Sequence, residues 1–171
     1  MFFFLVLALG SPKPAAVTII APEVACPGED YWFKTQTDFD NFPDYCDHIL
    51  GDLVITAFAS SVDFKVFKNI VQVGGLYIYQ NGQSVTNLAG LENLHTVENQ
   101  FTLGWNSQLT DINALVGLRN VSKLHIVGNS ALSDVSVFTG LTQIDELYLY
   151  DNLELSDCSS FIDLLGYPDG P

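Results

Sequence analysis

The sequence predicts a mainly β protein, a right-handed parallel β-helix or leucine-rich-repeat-like solenoid of about five rungs. The first observation is a unit of about 23 residues that is repeated five times between Leu53 and Cys158. A repeat period in this range is typical of solenoid proteins. The second observation is that apolar residues recur at the same offsets in every unit. Such units cannot bury their apolar side chains alone, but stacking them creates one continuous core.

Each unit is predicted to begin with a β-strand. Its first apolar residue, the anchor, recurs with spacings of 23, 25, 23 and 23 residues, at Leu53, Leu76, Phe101, Leu124 and Leu147. A second apolar residue follows two positions later, at Ile55, Ile78, Leu103, Ile126 and Leu149. Because alternate side chains of a strand point to the same face, we expect both sets to face the core.

An Asn follows the predicted strand in four of the five units. It stands five residues after the anchor, at Asn81, Asn106, Asn129 and Asn152, whereas the first unit has Phe58. A buried Asn that is stacked on its neighbours can form hydrogen bonds with the turn backbone of adjacent units. We therefore expect these residues to form a structural ladder.

A second apolar series in each unit is opened by an acidic residue or an Asn. These residues are Asp63, Asn87, Asp111, Asp134 and Asp157. Stacked carboxylates could bind calcium. However, one carboxylate just before a helical turn is what an N-cap requires, since its oxygen accepts the free N–H groups of that turn. The pattern favours capping, and neither a metal site nor a cofactor is predicted.

The ends of the chain have a different composition from the repeats. Residues 1–10 contain an apolar run that is too short to span a bilayer and is followed by small residues, which predicts a signal peptide. No Lys or Arg precedes this run, so a truncated or wrongly assigned start is the alternative. Residues 11–25 are a Pro/Ala-rich tail, residues 53–165 hold the solenoid, and residues 166–171 are a tail or a truncation.

Residues 26–52 are predicted to form a cap that closes the first end of the solenoid. Cys26 and Cys46 lie 20 positions apart in this segment, and a disulfide between them would stabilise the cap in an oxidising compartment. The third cysteine, Cys158, falls at an apolar position of the fifth unit. It is either a buried free thiol or the partner of a cysteine beyond Pro171.

The charge of the chain restricts its partners. Six basic residues against 20 acidic residues give a formal net charge of −14, which repels nucleic acid and anionic lipid. The sequence Asn120-Val121-Ser122 predicts a glycosylation site at Asn120. Together with the predicted signal peptide and disulfide, this site indicates a secreted or cell-surface protein.

From about Cys26 to Phe161 the chain resembles the receptor L-domain, most specifically in the opening of that domain. The resemblance lies in Cys26-Pro27-Gly28, in the segment 46–55 and in the spacing of the residues Phe64, Phe67, Ile70, Val73, Gly74 and Leu76. The L-domain is the ligand-binding β-helix of insulin-type and epidermal-growth-factor-type receptors. The repeats are also similar to those of fungal cell-surface proteins that are held by glycolipid (GPI) anchors. The resemblance implies a non-catalytic extracellular binding module, with further domains or an anchor beyond residue 171.

Aromatic residues are concentrated at the outward positions of the predicted strands. The candidate ligand-binding residues there are Tyr77, Tyr79, Thr102, Trp105, His125, Tyr148 and Tyr150. Tyrosine and tryptophan supply rigid amphipathic area in recognition surfaces. The L-domain resemblance implies a polypeptide ligand on this face, and a glycan partner stays open because aromatic rings also stack on sugars. The alternative is that the aromatic residues only pack across strands, as in a structural or adhesive cell-wall protein.

An enzyme of the polysaccharide-cleaving β-helix type is the remaining hypothesis. Such an enzyme needs two carboxylates that flank the glycosidic bond. The outward strand positions hold none, and the nearest acids, Asp52 and Glu146, belong to the first and fifth units. His125 is an outward histidine without an obvious partner in the sequence. We therefore predict that the protein is not an enzyme.

Overall fold

The computed structural model describes residues 23–58, 61–162 and 164. The predicted signal peptide, residues 11–22 of the predicted tail and residues 166–171 lie outside the described residues. The described part of the chain forms a six-stranded sheet, a short α-helix and four short 310-helices. None of these helices is long and apolar enough to cross a membrane.

All six strands pair in parallel and in chain order. Their bounds are β1 Tyr31–Phe33, β2 His48–Thr56, β3 Gln72–Tyr79, β4 Thr96–Gly104, β5 Asn120–Val127 and β6 Glu146–Tyr150. The five predicted strands are β2 to β6, and their anchors pair in register from Leu53 to Leu147. β1 was not predicted, because it lies inside the segment that was expected to form a cap. The sheet is not closed, since β1 and β6 are its two edges.

The core lies between one face of the sheet and the segments that connect the strands. The anchors of β2 to β5 are fully buried, whereas Leu147 of the edge strand β6 is half-buried. The connecting segments provide the opposite wall, with buried residues such as Leu91, Leu115 and Phe138. Each side chain of this size contributes roughly 1.5–3 kcal/mol when it is buried.

Asparagines connect the turns that follow the strands. The Asn106 side chain donates to the carbonyl of Ile78 at 2.9 Å, and its Oδ1 accepts from the Asn81 backbone N–H at 3.4 Å. Asn81, Asn129 and Asn152 each repeat both bonds with their own neighbours. Asn81, Asn106 and Asn129 are buried. The predicted ladder is confirmed.

The four aspartates and Asn87, which open the second apolar series, accept hydrogen bonds from the turns that follow them. In each case the side-chain oxygen accepts a hydrogen bond from the backbone N–H two residues later, over 2.7–3.0 Å, at Asp63, Asn87, Asp111, Asp134 and Asp157. The four aspartates precede 310-helices, at Phe64–Phe67, Asn113–Gly117, Ser136–Gly140 and Ser159–Phe161. Asp63 is itself the N-cap of its helix, as predicted, whereas Asp111, Asp134 and Asp157 make the capping contact from one residue before the N-cap. Within the described ranges, no three His, Cys, Asp or Glu residues come close enough together to hold a metal ion.

An aromatic cluster and a disulfide cover the first edge of the sheet. Cys26 and Cys46 are joined as predicted. The α-helix α1, Gln36–Asp40, begins with a capping box between Thr35 and Asp38. It buries Phe39 against Phe33 of β1, with ring centroids 4.6 Å apart.

The third cysteine is not part of the core. Cys158 is exposed, so the expectation of a buried thiol is wrong. Ile112 and Val135 hold the same place before a 310-helix in the two preceding units and are buried, so the exposure of Cys158 is specific to the fifth unit.

Candidate binding face

We call the side of the sheet that faces away from the core the outer face, and two of its rows of outward side chains hold the predicted residues. The first row crosses all six strands and contains Trp32, Val54, Tyr77, Thr102, His125 and Tyr148. The second row contains Thr56, Tyr79, Gly104, Val127 and Tyr150. Six of the seven candidate residues lie in these rows, and Trp105 directly follows the second. The structure thus brings the predicted residues to one surface.

Trp105 owes its position to the turn that ends each strand. The residue after the second row has a positive φ in every repeat unit, at Ala57, Gln80, Trp105, Gly128 and Asp151. For Trp105 this φ is 53°, a conformation that costs a non-glycine residue roughly 1–2 kcal/mol. A Cβ atom on Gly128 would lie 2.8 Å from Cδ1 of the Trp105 indole. Gly128 therefore leaves the space that the indole ring occupies.

Four aromatic side chains surround a hollow of about 340 Å³ on the outer face. This aromatic hollow is lined by Trp32, Val54, Tyr77, Tyr79 and Trp105, together with the polar residues Asp52, Gln100 and Thr102. The Trp32 and Trp105 side chains are 54% and 49% exposed. Val54 is only 2% exposed although it points outward, because its aromatic neighbours cover it. The aromatic side chains therefore pack across strands and still present open surface.

A carboxylate lies at the edge of the aromatic hollow. A Cβ atom on Gly75 would lie 2.4 Å from Oδ1 of Asp52 and 2.8 Å from the Tyr77 ring, so this glycine leaves room for both. Burial, together with the Asp30 carboxylate nearby, raises the pKa of Asp52. Burial and the charge of Asp52 likewise raise the pKa of the Tyr77 phenol. Among the described residues, no donor forms a hydrogen bond with the Asp52 carboxylate.

At the other end of the outer face, a carboxylate is paired with basic side chains of the neighbouring strand. His125 Nε2 lies 2.8 Å from Glu146 Oε1, and Lys123 Nζ lies 3.5 Å from the same carboxyl group. The hydrogen bond with His125 holds the pKa of Glu146 below its ordinary value. The His125 ring also packs edge-on against Tyr148, with centroids 4.7 Å apart. The interpretation of His125 as a histidine without a partner is therefore wrong.

The remaining predicted residue lies apart from the aromatic hollow. Asn120 is exposed at the start of β5, and its amide nitrogen lies 3.5 Å from Thr96 Oγ1. Its glycosylation stays a prediction. A larger hollow of about 430 Å³ lies beside residues 139–144, 159, 160 and 164, and among the residues that the structure describes no charged side chain lines it.

Two features of the outer face were missed in the sequence. Trp32 stands 54 − 32 = 22 residues before Val54, close to the repeat period, and its neighbours Tyr31 and Phe33 favour a strand. These two signals predict one further strand. The approach of Asp30 to Asp52, whose backbone N–H donates to Asp30 Oδ1 at 2.8 Å, depends on how β1 meets β2 and has no sequence signal.

Comparison of the chain with protein-family models, with curated proteins and with solved structures finds no match.

Proposed function

We propose that the protein is a non-catalytic binding module of the receptor L-domain type, which binds a polypeptide through the outer face of its sheet. The observation that supports this most directly is the half-exposed aromatic surface around the aromatic hollow. Tyrosine and tryptophan dominate the energetics of protein recognition surfaces, because they offer a large rigid area at a low entropic cost.

The extent of the surface favours a polypeptide over a single sugar ring. Neighbouring strands lie about 4.8 Å apart, so the first row runs roughly 24 Å from Trp32 to Tyr148. Both of these end residues are about half exposed, at 54% and 51%. An extended or helical peptide segment could contact the whole row.

The proposal includes a solenoid architecture and a secreted or cell-surface location. A period of about 23 residues, anchors in register and stacked asparagines support a right-handed parallel solenoid of about five rungs with a cap that the disulfide closes. Disulfides persist mainly in oxidising compartments, so the bond between Cys26 and Cys46 supports a secreted or cell-surface location. The excess of acidic residues supports a partner other than nucleic acid.

The arrangement of carboxylates supports a role without catalysis. Cleavage of a glycosidic bond needs two carboxylates that flank the substrate. Only Asp52 lines the aromatic hollow, while Asp30 Oδ1 accepts a backbone N–H. Glu146 lies four strands away from Asp52, roughly 19 Å at the usual strand spacing, and is paired with His125.

The second candidate is a structural or adhesive protein of the anchored cell-wall type. The near-complete burial of Val54 beneath aromatic side chains favours this alternative, since side chains that pack across strands stabilise a sheet. In that case the aromatic rows would have no ligand.

The experiment that decides between them is a selection from a display library of random 12-residue peptides. The bait is the wild-type protein, and the comparison is the Tyr77→Ser/Tyr148→Ser variant. A matched control, Val116→Ser/Leu153→Ser, removes exposed apolar side chains from positions outside the strands. A glycan array is probed with the same three proteins.

The proposal predicts peptides that are retained by the wild type and by the control but are lost on the tyrosine variant. Circular dichroism spectra and melting curves check that all three proteins fold. If sugars bind in this tyrosine-dependent way and peptides do not, the ligand is a glycan and not a polypeptide. Absence of any ligand that depends on the two tyrosines would contradict the proposal and favour the structural alternative.

A further inference from the structure

The aromatic hollow contains an uncompensated negative charge. The Asp52 carboxylate is partly buried beside Tyr77, and within the described ranges neither a hydrogen-bond donor nor a cation is paired with it. The neighbouring Asp30 adds a second negative charge. A carboxylate that has lost part of its water and lies near a like charge is stabilised when a cation approaches.

The aromatic rings around this carboxylate are themselves suited to a cation. The face of an aromatic ring carries negative electrostatic potential, and Trp attracts Lys or Arg most strongly. Trp32 shows this property within the protein, because Lys34 Nζ lies 5.4 Å from its ring centroid. Trp105, Tyr77 and Tyr79 complete the lining of the aromatic hollow.

We infer that the aromatic hollow receives a Lys or Arg side chain of the bound polypeptide, with its charged group at Asp52 and its aliphatic stem against Trp32, Tyr77 and Trp105. This inference rests on the proposed function, and it assigns the partner a basic segment. A volume of about 340 Å³ is at the lower end of the range for ligand pockets, which suits one long side chain.

The distribution of charge supports a basic partner. The net charge of −14 attracts a basic segment from a distance and accelerates the encounter. At the opposite end of the outer face, Glu146 is already paired with Lys123 and His125. The charge of a ligand is therefore selected at Asp52, while the first row offers aromatic area.

The chain contains two tryptophans, Trp32 and Trp105, and both line the aromatic hollow. Their two indole N–H signals in a nuclear magnetic resonance spectrum therefore report on occupancy directly. The probes are N-acetyl-lysine methylamide and N-acetyl-arginine methylamide, with the neutral N-acetyl-norleucine methylamide as a control of similar length. The variants are Asp52→Asn and, as a matched control, the exposed Asp145→Asn.

The two cationic probes are expected to shift both indole signals, with an effect that weakens at high salt. Asp52→Asn should weaken their binding on the order of tenfold, because it removes one charge-assisted contact. Asp145→Asn should bind like the wild type. Since the Asp52 carboxylate accepts no hydrogen bond from the described residues, its replacement should not unfold the protein.

Equal shifts with norleucine and lysine, unchanged binding by Asp52→Asn or no shift with any probe would each overturn the inference. The peptide selection distinguishes a failure of this inference from a failure of the proposed function. Peptides that depend on Tyr77 and Tyr148 but contain no basic residue would overturn the inference and leave the proposed function standing. Peptides that do not depend on the tyrosines would overturn both.

Discussion

Asn106 shows how one buried polar side chain holds three repeat units together. It is completely buried, and it bonds to backbone or side-chain atoms of Ile78, Asn81 and Asn129. Its replacement leaves at least two buried backbone groups without a partner, each at a cost of roughly 1–3 kcal/mol. The role of this position was predictable from the sequence, because an Asn that recurs at one offset in four units is expected to form the same hydrogen bonds in each.

We expect Asn106→Ala to lower the free energy of unfolding by about 2–4 kcal/mol, measured by urea denaturation. The matched control is Asn93→Ala, since Asn93 is exposed and its side chain forms one bond, to the Lys68 carbonyl. The control should lose less than about 1 kcal/mol. Equal losses for both variants would show that the ladder is not a special source of stability.

The exposed caps Asp134 and Asp157 make stability depend on pH. Backbone N–H groups of Ser136 and Ser159 hold the pKa of these carboxyl groups below the ordinary value of 3.8. The unfolded chain therefore binds more protons than the folded chain in this range. The stabilisation is present above pH 3.8 and is lost as the pH falls through the lower pKa of the folded state.

The double variant Asp134→Asn/Asp157→Asn should retain the cap geometry, as Asn87 does in the second unit. Its urea midpoint should fall less than that of the wild type between about pH 5 and about pH 2.5. The reason is that the variant lacks the two carboxyl groups whose protonation is coupled to unfolding. A pH dependence identical to that of the wild type would show that the two caps do not contribute to acid denaturation.

At the scale of the element, glycines shape the strands where neighbouring backbones approach closely. The register between β2 and β3 shifts between Ile49 and Asp52. A Cβ atom on Gly74 would lie 2.5 Å from the Leu50 carbonyl oxygen, which is closer than real Cβ atoms come. The period of the repeat predicted the strands, but it could not predict these irregularities, because they depend on backbone contacts between units.

Gly74→Ala should lower the free energy of unfolding by about 1–3 kcal/mol, the usual cost of overpacking. Gly104→Ala is the matched control, since an added Cβ there would meet nothing closer than 3.6 Å. Denaturant midpoints of both variants give the comparison. If Gly104→Ala lowers the free energy of unfolding as much as Gly74→Ala does, close backbone contact at Gly74 does not explain the loss.

The disulfide joins the two ends of the segment 26–46, which contains the edge strand β1. It joins residues 20 positions apart, for which the chain-entropy model gives a stabilisation of about 3 kcal/mol. Cys26→Ser/Cys46→Ser should therefore lose about this amount in thermal and chemical denaturation. Cys158→Ser, which changes an exposed free thiol, should unfold like the wild type. A double variant as stable as the wild type would show that the aromatic cluster closes this edge without the bond.

At the scale of the whole molecule, the period of the sequence predicts more of the sheet than of the site. The five anchors predicted five strands and their register, because parallel strands with a constant offset place equivalent residues side by side. The same offsets predicted the aromatic rows of the outer face. The aromatic hollow was only partly predictable, since the spacing of Trp32 from Val54 indicates a further strand, whereas the environment of Asp52 depends on Asp30 and has no sequence signal.

The most direct test of the account locates a bound peptide on the surface of the protein. A peptide from the display selection is titrated into isotope-labelled protein, and the changes in backbone amide signals are mapped onto the sequence. We predict that the changes concentrate at residues 32, 54, 77, 79, 102 and 105 of the outer face and spare the connecting segments around Leu91 and Leu115. Changes confined to the connecting segments would contradict the claim that the outer face of the sheet is the binding surface.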